Sequence, residues 1–292
     1  MCGVPRNLVT LVHAVSHQET AEHRRIMDEV AELLSPRHRV FVVTGAGMSA
    51  ESGLPTYRGT GGLYVSGRTE QGMTIEELLS GQTFRWQPEL TWRYLGEIGR
   101  AGAGKTCNPG HRVLAALEPR FADFCILTQN IDGFHTAAGS RNVIEIHGNL
   151  HHLRCESCGL EKTVDCFTRI EIPPACDQCQ QPLRPGVVLF GEMLPTGALQ
   201  HLERQWAAGF DVVLSIGTSS NFPYIAEPVV RAARAGLPTI EINPEETSVS
   251  ALCSHRLDLP ASLALSGIRQ RLECRPDWPR IAGQAWETGR NR

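Results

Sequence analysis

Short runs of mostly apolar residues, many of them β-branched, recur along this chain and limit its fold more than any other feature. They lie at residues 40–43, 124–127, 143–146, 187–190, 212–216 and 239–242. Runs that are apolar at nearly every position, rather than at alternate ones, are typical of strands covered on both faces. Helical spacing occurs before the first run, at 20–35, and between later runs, at 109–117 and 225–235. We predict an α/β fold with a Rossmann-like, mostly parallel sheet and helices on both faces.

Two segments interrupt this alternation and are predicted to form a smaller lobe. One is a helical insertion at 65–104, with helices expected near 75–79 and 90–98, where Trp86 and Trp92 should anchor the packing. The other, at 151–184, carries paired cysteines. The predicted main domain comprises 20–64, 105–150 and 185–270, and 1–19 and 271–292 are terminal extensions of unknown role.

Four of the ten cysteines form two CxxC pairs, Cys155 with Cys158 and Cys176 with Cys179. The 17 residues between the pairs fit the spacing of a four-thiolate zinc site. Two local disulfides, or four unrelated buried thiols, are the alternative. Four thiolates would complete the tetrahedral shell of zinc, so the ion would be structural. Because free thiolates persist in a reducing compartment, the pattern favours a cytoplasmic protein.

Composition excludes several classes of protein. The 292 residues are 41% hydrophobic and 20% charged, a globular balance, and the formal net charge is −3. We therefore expect no direct nucleic-acid partner and no membrane, since no run approaches the roughly 18 apolar residues of a membrane-spanning helix. The apolar stretch at 8–15 is too short, and Arg6 alone precedes it with positive charge, so no secretory signal is expected. The oligomeric state has no sequence signal.

A glycine-rich turn, Gly45-Ala46-Gly47-Met48-Ser49-Ala50, follows the first apolar run and fits the pattern GxGxxA. Glycines in such a turn allow backbone N–H groups to approach a pyrophosphate at a helix start. Alone the signal is weak, because glycine-rich turns after strands are common. A hydride-transferring enzyme would also carry an acidic residue ending a second strand about 20 residues later. Residues 64–72 do not resemble a strand, which disfavours a dehydrogenase.

A longer series of motifs is more specific. The turn continues as GAGMSAESGLPTYRG at 45–59, and then come TQNIDGFH at 128–135, EIHG at 145–148, the cysteine pairs, PGVVLFGE at 185–192, GTS at 217–219 and IN at 242–243. This ordered series, spanning roughly residues 20–270, resembles the sirtuin family of NAD-dependent protein-lysine deacylases. The resemblance implies transfer of an acyl group from lysine to ADP-ribose with release of nicotinamide, so NAD is consumed as a co-substrate.

The resemblance also implies which residues form the NAD pocket. They are Gly45, Ala46, Gly47, Ser49, Ala50, Pro55, Tyr57, Arg58, Gln129, Asn130, Ile131, Asp132, Gly217, Thr218, Ser219, Asn243 and Glu245. Asn130 and Asp132, also expected to be catalytic, offer the amide and carboxylate that a carboxamide and ribose hydroxyls require. Tyr57 stands where sirtuins usually carry phenylalanine. We expect its ring to keep shielding the ribose after nicotinamide leaves.

His147 is expected to be the general base, because imidazole titrates near neutrality. Considered alone, a histidine that ends an apolar run is more often structural, and the motif series reverses that expectation. By resemblance, the acyl oxygen attacks the anomeric carbon of the ribose and expels nicotinamide. His147 then activates a ribose hydroxyl, and water releases lysine and O-acyl-ADP-ribose. His135 is expected to pack or to start a helix, and two complete CxxC pairs leave no vacancy for His151 or His152 on zinc.

The acylated lysine is expected to bind as part of an added strand. Residues 186–192 resemble the segment that pairs with the substrate backbone in sirtuins, and Val188, Phe190 and Gly191 would be substrate-binding residues. Backbone pairing gives affinity with little sequence selectivity, so many protein substrates are plausible.

The preferred acyl group is predicted from the first insertion. Sirtuins that remove succinyl or malonyl groups carry Tyr-x-x-Arg after a tryptophan that matches Trp92. The matching residues here, Leu95 and Ile98, cannot pair with a carboxylate, so we predict neutral acyl groups. The alternatives are a mono-ADP-ribosyltransferase or NAD glycohydrolase on the same scaffold, and a non-catalytic NAD-sensing module.

Overall fold

Most of the apolar runs noted above form strands. The computed structural model describes residues 19–55 and 72–280. The strands in these ranges are β1 Arg39–Thr44, β2 Asp123–Thr128, β3 Val143–Glu145, β4 Gly148–Arg154, β5 Glu161–Thr163, β6 Arg184–Val187, β7 Val212–Ile216, β8 Thr239–Ile242 and β9 His255–Leu257. The helices are α1 Ala21–Leu33, α2 Ala46–Ala50, α3 Ile75–Leu78, α4 Gly81–Trp86, α5 Pro88–Ala101, α6 Pro109–Leu117, α7 Phe134–Ala137, α8 Thr196–Ala208, α9 Pro223–Arg234 and α10 Ala261–Cys274.

Six of these strands form a parallel sheet in the order β3-β2-β1-β7-β8-β9. After β1, the next two strands of this sheet, β2 and β3, are added on one side of β1. The later strands β7, β8 and β9 are added on the other side. The strand order therefore reverses between β1 and β7, and in open α/β sheets a ligand crevice opens at the carboxyl ends of the strands at such a point. The predicted parallel sheet is confirmed.

Helices cover both faces of this sheet, as predicted. Alternate residues of a strand point to opposite faces. Val40 and Val42 of β1 therefore pack in one apolar cluster with α1, α6 and α10. Phe41 and Val43 pack in a second cluster with α8 and α9. The central strand is thus apolar at successive positions because each of its faces contacts a different layer of helices.

A smaller antiparallel sheet, in the order β5-β4-β6, packs with α3 and α5 around a third apolar cluster. Trp92 on α5 is fully buried there. Its indole Nε1 donates a hydrogen bond to the Leu183 carbonyl at 2.8 Å, and its ring contacts Phe167. The predicted role of Trp92 as a packing anchor is confirmed. The division of the chain at the boundaries given above stays a prediction.

One expectation about the strands is wrong. The apolar run 187–190 was expected in the main sheet, but the strand there is β6, which pairs with β4 of the small sheet. The run ends instead in a loop, where Phe190 forms an isolated bridge with Ser80. A four-residue apolar run is compatible with either sheet, and the return of the chain from the cysteine segment places it beside β4.

The exposure of two tryptophans also differs from expectation. Trp86 is 75% exposed and does not anchor the small lobe. Trp278, in the extension without an assigned role, is 3% exposed and packs edge-on against Phe121 in the main core. The tail therefore contributes to the core at least as far as this residue. Across the described ranges, no helix has the length and apolarity required to cross a bilayer.

We expect Trp92→Ala to lower the free energy of unfolding by about 3–5 kcal/mol, because it leaves a large cavity and an unpaired Leu183 carbonyl. Trp86→Ala is the matched control and should change it by less than about 0.5 kcal/mol, because that ring lies mostly in solvent. Urea denaturation followed by circular dichroism measures both. Equal losses of stability would contradict the assignment of the anchor.

Candidate active site

The turns that follow β1 and β7 meet at the point where the strand order reverses. The N–H of Gly45 donates to the Ile216 carbonyl at 3.1 Å, and the N–H of Gly47 donates to the Gly217 carbonyl at 2.8 Å. These two N–H groups are therefore already bonded within the chain. What the glycines contribute to a ligand site is the space that a side chain would otherwise fill.

Gly217 requires the conformational freedom of glycine. Its φ is +58°, and a Cβ added to it would lie 2.4 Å from the Met48 nitrogen. A Cβ on Gly47 would lie 2.7 Å from Cα of Gly217. Side chains at these positions would force the two turns apart, so both glycines are needed for the close backbone approach.

Amide, hydroxyl and carboxylate groups form a connected network beside these turns. The Gln129 amide donates to Oγ1 of Thr218 at 2.7 Å. The Asn130 amide donates to the Gly45 carbonyl at 3.0 Å and to Oγ of Ser49 at 3.1 Å. The Ser49 hydroxyl in turn donates to Oδ2 of Asp132 at 2.7 Å. Residues from three separate predicted motifs are thus brought together.

Asp132 is held by two donors in a partly buried position. The backbone N–H of Phe134 donates to its Oδ1 at 2.9 Å, which complements the Ser49 hydroxyl on Oδ2. Burial nevertheless raises the pKa of this carboxyl above its ordinary value, and the two donors only partly oppose the shift. The carboxylate is therefore a stronger hydrogen-bond acceptor than an exposed one.

His147 lies between two oxygen atoms from different parts of the chain. Its Nδ1 is 3.1 Å from the Gln129 carbonyl, and its Nε2 is 2.7 Å from the Tyr224 hydroxyl. Burial lowers the pKa of His147, and the hydrogen bond to Gln129 opposes part of the shift. The imidazole is therefore neutral near pH 7 and able to accept a proton, as a general base requires.

Two further histidines lie under this network. His111, which sequence reasoning did not single out, is fully buried with its Nε2 3.4 Å from Oγ of Ser49. Burial lowers the pKa of His111 to about 4. His135 is buried in α7, bonded to the Thr44 hydroxyl at 3.0 Å, and burial lowers its pKa to about 3. The predicted packing role of His135 is confirmed, and both rings support the site as neutral groups.

The carboxyl ends of β7 and β8 bring together the residues expected at the adenosine end of NAD. The Asn243 amide donates to the Thr218 carbonyl at 3.1 Å, and its own side-chain oxygen accepts the Glu245 N–H at 3.2 Å. Thr218 is buried, whereas Ser219 and Glu245 are exposed. The edge of the sheet therefore presents polar side chains to solvent at this end.

Other expected pocket residues lie at the borders of the network. Ala46 and Ala50 begin and end α2, and Pro55 is half-buried at the end of the first described range. Ile131 packs against the small-lobe cluster, and its carbonyl accepts the Leu150 N–H at 2.9 Å. Tyr57 and Arg58 lie outside the described residues.

The segment expected to bind substrate lies directly beside His147. The Val188 N–H donates to the His147 carbonyl at 2.9 Å. Phe190 exchanges backbone hydrogen bonds with the small lobe, to Leu79 at 2.9 Å and from Gly81 at 3.0 Å. Gly191 is exposed. The candidate base and this segment are thus joined through the backbone.

The four paired cysteines form one cluster, with all Sγ atoms within 4.8 Å of one another. Their thiols are free, and the shortest contacts join different pairs: Cys155 to Cys179 at 3.4 Å and Cys158 to Cys176 at 3.5 Å. Sulfurs around a tetrahedral zinc ion would be ~3.8 Å apart, given Zn–S bonds of about 2.3 Å. The donor set and its spacing fit zinc, and the alternative of two local disulfides does not fit.

Thiol and imidazole groups near this cluster are bonded elsewhere. The Cys166 thiol contacts the Thr168 hydroxyl at 3.0 Å and is outside the cluster. Nδ1 of His151 is 2.7 Å from the Val164 carbonyl. Among the described residues, the cysteine cluster is the one group of metal-binding side chains found together.

Comparison with known proteins identifies relatives over most of the chain. The model of the Sir2 family matches residues 45–222. NAD-dependent protein deacylase 2 of Pseudomonas aeruginosa is 50% identical over 224 residues, which cover 76% of this chain and 87% of that protein.

Solved structures agree with this comparison. A Sir2 homologue bound to NAD has a TM-score of 0.70 at 35% identity, covering 85% of this chain and 93% of its own. A complex of Sir2 with a p53 peptide and NAD+ has a TM-score of 0.69 at 27% identity, covering 85% of this chain and 97% of its own.

We expect Gly217→Ala to destabilise the protein by at least about 1–2 kcal/mol, the cost of a left-handed backbone at a residue with a Cβ. The clash with Met48 adds to this cost. Gly197→Ala is the matched control: it lies in α8, where an added Cβ meets nothing within 4 Å, and alanine favours helix. Urea midpoints should fall for the first variant and not for the second. A midpoint for Gly217→Ala equal to that of the unaltered protein would refute the claim that the two turns need glycine at position 217 to approach each other.

Proposed function

The chain belongs to the Sir2 family, and we infer from that membership that it is an NAD-dependent protein-lysine deacylase. It consumes NAD and acts on acylated lysine side chains of peptides and proteins. Relatives named as NAD-dependent protein deacylases, and Sir2 structures that hold NAD and a peptide, support this function. An ADP-ribosyltransferase or a non-catalytic NAD sensor is not favoured by these relatives.

The position of His147 is the geometric observation that most directly supports this function. His147, neutral and half-buried, accepts at its own carbonyl the Val188 N–H of the proposed substrate segment. Through its Nδ1 it is also joined to Gln129, the first residue of the polar network. A base in this position borders both a substrate strand and a dinucleotide pocket, as acyl transfer from lysine to ADP-ribose requires.

Within the NAD pocket we assign distinct tasks to separate groups of residues. Asn130 and Asp132 bind the nicotinamide carboxamide and the ribose hydroxyls, and Ser49 holds their side chains in place. Hydrogen bonds from Ser49 to Asp132 and from Asn130 to Ser49 support this arrangement. Thr218, Ser219, Asn243 and Glu245 bind the adenosine end. Tyr57 shields the ribose, and Arg58 contacts the phosphates.

His147 is assigned the second step of the reaction. After the acyl oxygen has attacked the anomeric carbon and nicotinamide has left, Nε2 of His147 takes the proton of a ribose hydroxyl. That hydroxyl oxygen then attacks the imidate, and water completes the release of lysine and O-acyl-ADP-ribose. The lowered pKa of His147 supports this role, because it keeps the ring unprotonated near neutral pH.

The substrate is assigned a strand position beside residues 186–192. Gly191 is exposed and half-buried Val188 and Phe190 flank the inner part of this segment, which supports contact with an acyl-lysine side chain. Neutral acyl groups are preferred in this proposal. Leu95 is buried in the small-lobe cluster and Ile98 packs against it, so neither position supplies a cation.

A structural zinc ion is assigned to the cysteine cluster. Cys155, Cys158, Cys176 and Cys179 would hold it, and it would stabilise the segment that connects β4 to β6. This segment has few buried apolar residues of its own, so a metal would supply much of its folding free energy. Free thiols in such a site also support a cytoplasmic location.

An acetyl-lysine peptide incubated with NAD should lose its acetyl group, with matching amounts of nicotinamide and O-acetyl-ADP-ribose detected by mass spectrometry. His147→Ala should slow this at least about 100-fold, the lower range for loss of a general base. Nicotinamide release without deacetylation would instead indicate ADP-ribosyl transfer or NAD hydrolysis. No turnover of NAD would refute enzymatic function.

Metal analysis of the purified protein should find about one zinc ion per chain, as four thiolates bind one ion. Cys176→Ser should lose the ion and lower the melting temperature, because the site then lacks a ligand. Cys166→Ser is the control and should keep both, since this thiol is outside the cluster. A metal-free protein with an unchanged melting temperature would exclude the structural zinc.

Acetyl-lysine and succinyl-lysine peptides of the same sequence should differ in kcat/KM by at least about tenfold in favour of acetyl. An unpaired carboxylate loses solvation in the acyl tunnel without gaining a cationic partner. Initial rates at saturating NAD measure the difference. Comparable turnover of the two peptides would rule out the preference for neutral acyl groups.

A further inference from the structure

The first turn of α9 places a tyrosine on the candidate base. The Tyr224 hydroxyl is 2.7 Å from Nε2 of His147, although the two residues are 77 positions apart in the chain. The rings of Tyr224 and Phe222 are stacked, with centroids 5.6 Å apart, and each meets the His147 ring edge-on at 6.0 Å. Neither aromatic residue belongs to the motifs that identify the family.

The hydrogen-bond roles at His147 follow from what each partner can do. The Gln129 carbonyl can only accept, so Nδ1 of His147 carries the proton. In the neutral ring Nε2 then has its lone pair available. The Tyr224 hydroxyl is the donor to it, because a phenol is protonated at neutral pH and burial raises the pKa of this one further.

This hydrogen bond occupies the atom that the reaction needs. A general base must be within hydrogen-bond reach of the proton that it removes, and Nε2 has a single lone pair. The ribose hydroxyl and the Tyr224 hydroxyl therefore cannot both donate to Nε2 at the same time. One of them must leave before the proton can be transferred.

We propose that Tyr224 is a displaceable cap on the base: its hydroxyl occupies Nε2 of His147 in the free enzyme and gives way to the ribose hydroxyl of the bound substrate. The inference rests on the proposed role of His147. Tyr224 acts through His147 as a positioning residue, since it holds the ring between two oxygen atoms until the substrate arrives.

The surroundings of Tyr224 permit this displacement. Its ring is half-buried and its stacking partner Phe222 is 39% exposed, so the pair lies at the edge of the crevice, next to solvent. Phe222 immediately precedes α9 and Tyr224 is in its first turn, where Tyr224 packs against the apolar cluster under α8 and α9 from the partly buried side. A hydroxyl that moves away from Nε2 can bond to water instead.

Chemical labelling tests the cap without relying on turnover. Diethyl pyrocarbonate acylates an unprotonated imidazole nitrogen. Trypsin cleaves after Arg141 and Arg154, so one peptide carries His147 together with the exposed His152 as an internal reference. In Tyr224→Phe the ring remains and the hydroxyl is lost. Labelling of His147 relative to His152 should rise about two- to tenfold, the range for one neutral hydrogen bond.

Steady-state kinetics tests whether the cap is displaced. In the proposal the Tyr224–His147 hydrogen bond stabilises the free enzyme and is already broken in the transition state. Tyr224→Phe removes that stabilisation, so kcat/KM for NAD should rise by the same factor of about two to ten. Tyr94→Phe on α5 removes one hydroxyl elsewhere and should change neither measurement. Melting temperatures of both variants report whether folding has been altered.

The outcomes distinguish failure of the cap, failure of its displacement, and failure of the proposed function. Unchanged labelling of His147 in Tyr224→Phe overturns the cap, and an unchanged kcat/KM overturns its displacement by the ribose hydroxyl. Increased labelling with a lower kcat/KM overturns displacement, because the hydroxyl would then take part in the proton transfer. An unaltered protein with no deacylase activity refutes the proposed function, and the labelling ratio alone then decides whether Tyr224 covers Nε2.

Discussion

Direct backbone contact between the turns after β1 and β7 is the constraint on which the site depends. Neighbouring parallel strands are about 4.8 Å apart, so two turns leaving their carboxyl ends compete for the same space. Gly47 and Gly217 resolve this by bonding to each other at 2.8 Å with no side chain between them. This contact sets the distance over which Gln129 reaches Thr218 and Asn130 reaches Gly45.

Around this contact the titratable groups are buried among neutral partners. Burial disfavours the charged form of each of these groups. It therefore raises the pKa of Asp132 and lowers those of His147, His111 and His135. Hydroxyl and amide groups such as that of Ser49 satisfy the polar atoms without adding charge. The site therefore offers an unprotonated base and strong acceptors near pH 7, and no compensating ion pair is needed.

His147 also joins the two parts of the fold. β3 ends at Glu145 in the main sheet, and β4 starts at Gly148 in the small one, so the base lies in the short link between them. The pairing of Gly148 with Val187 returns the chain to the same place after the cysteine segment. As a result, the segment with Val188 reaches the base although about 40 residues separate them, a loop-closure cost that the small-lobe core offsets.

The sequence by itself determined the parallel sheet and the cysteine cluster, because apolar runs and CxxC spacing are local signals. The residues of the polar network were predicted from the resemblance of the ordered motif series to sirtuins. The sequence did not place the run at 187–190 or detect β9. A short apolar run fits either sheet, and two of the three residues of His255–Leu257, at the edge of the sheet, are polar. Only the tertiary structure decided that Trp278 is in the core and that Tyr224 covers His147. Contacts between distant residues leave no local pattern, because they arise where packed elements happen to meet.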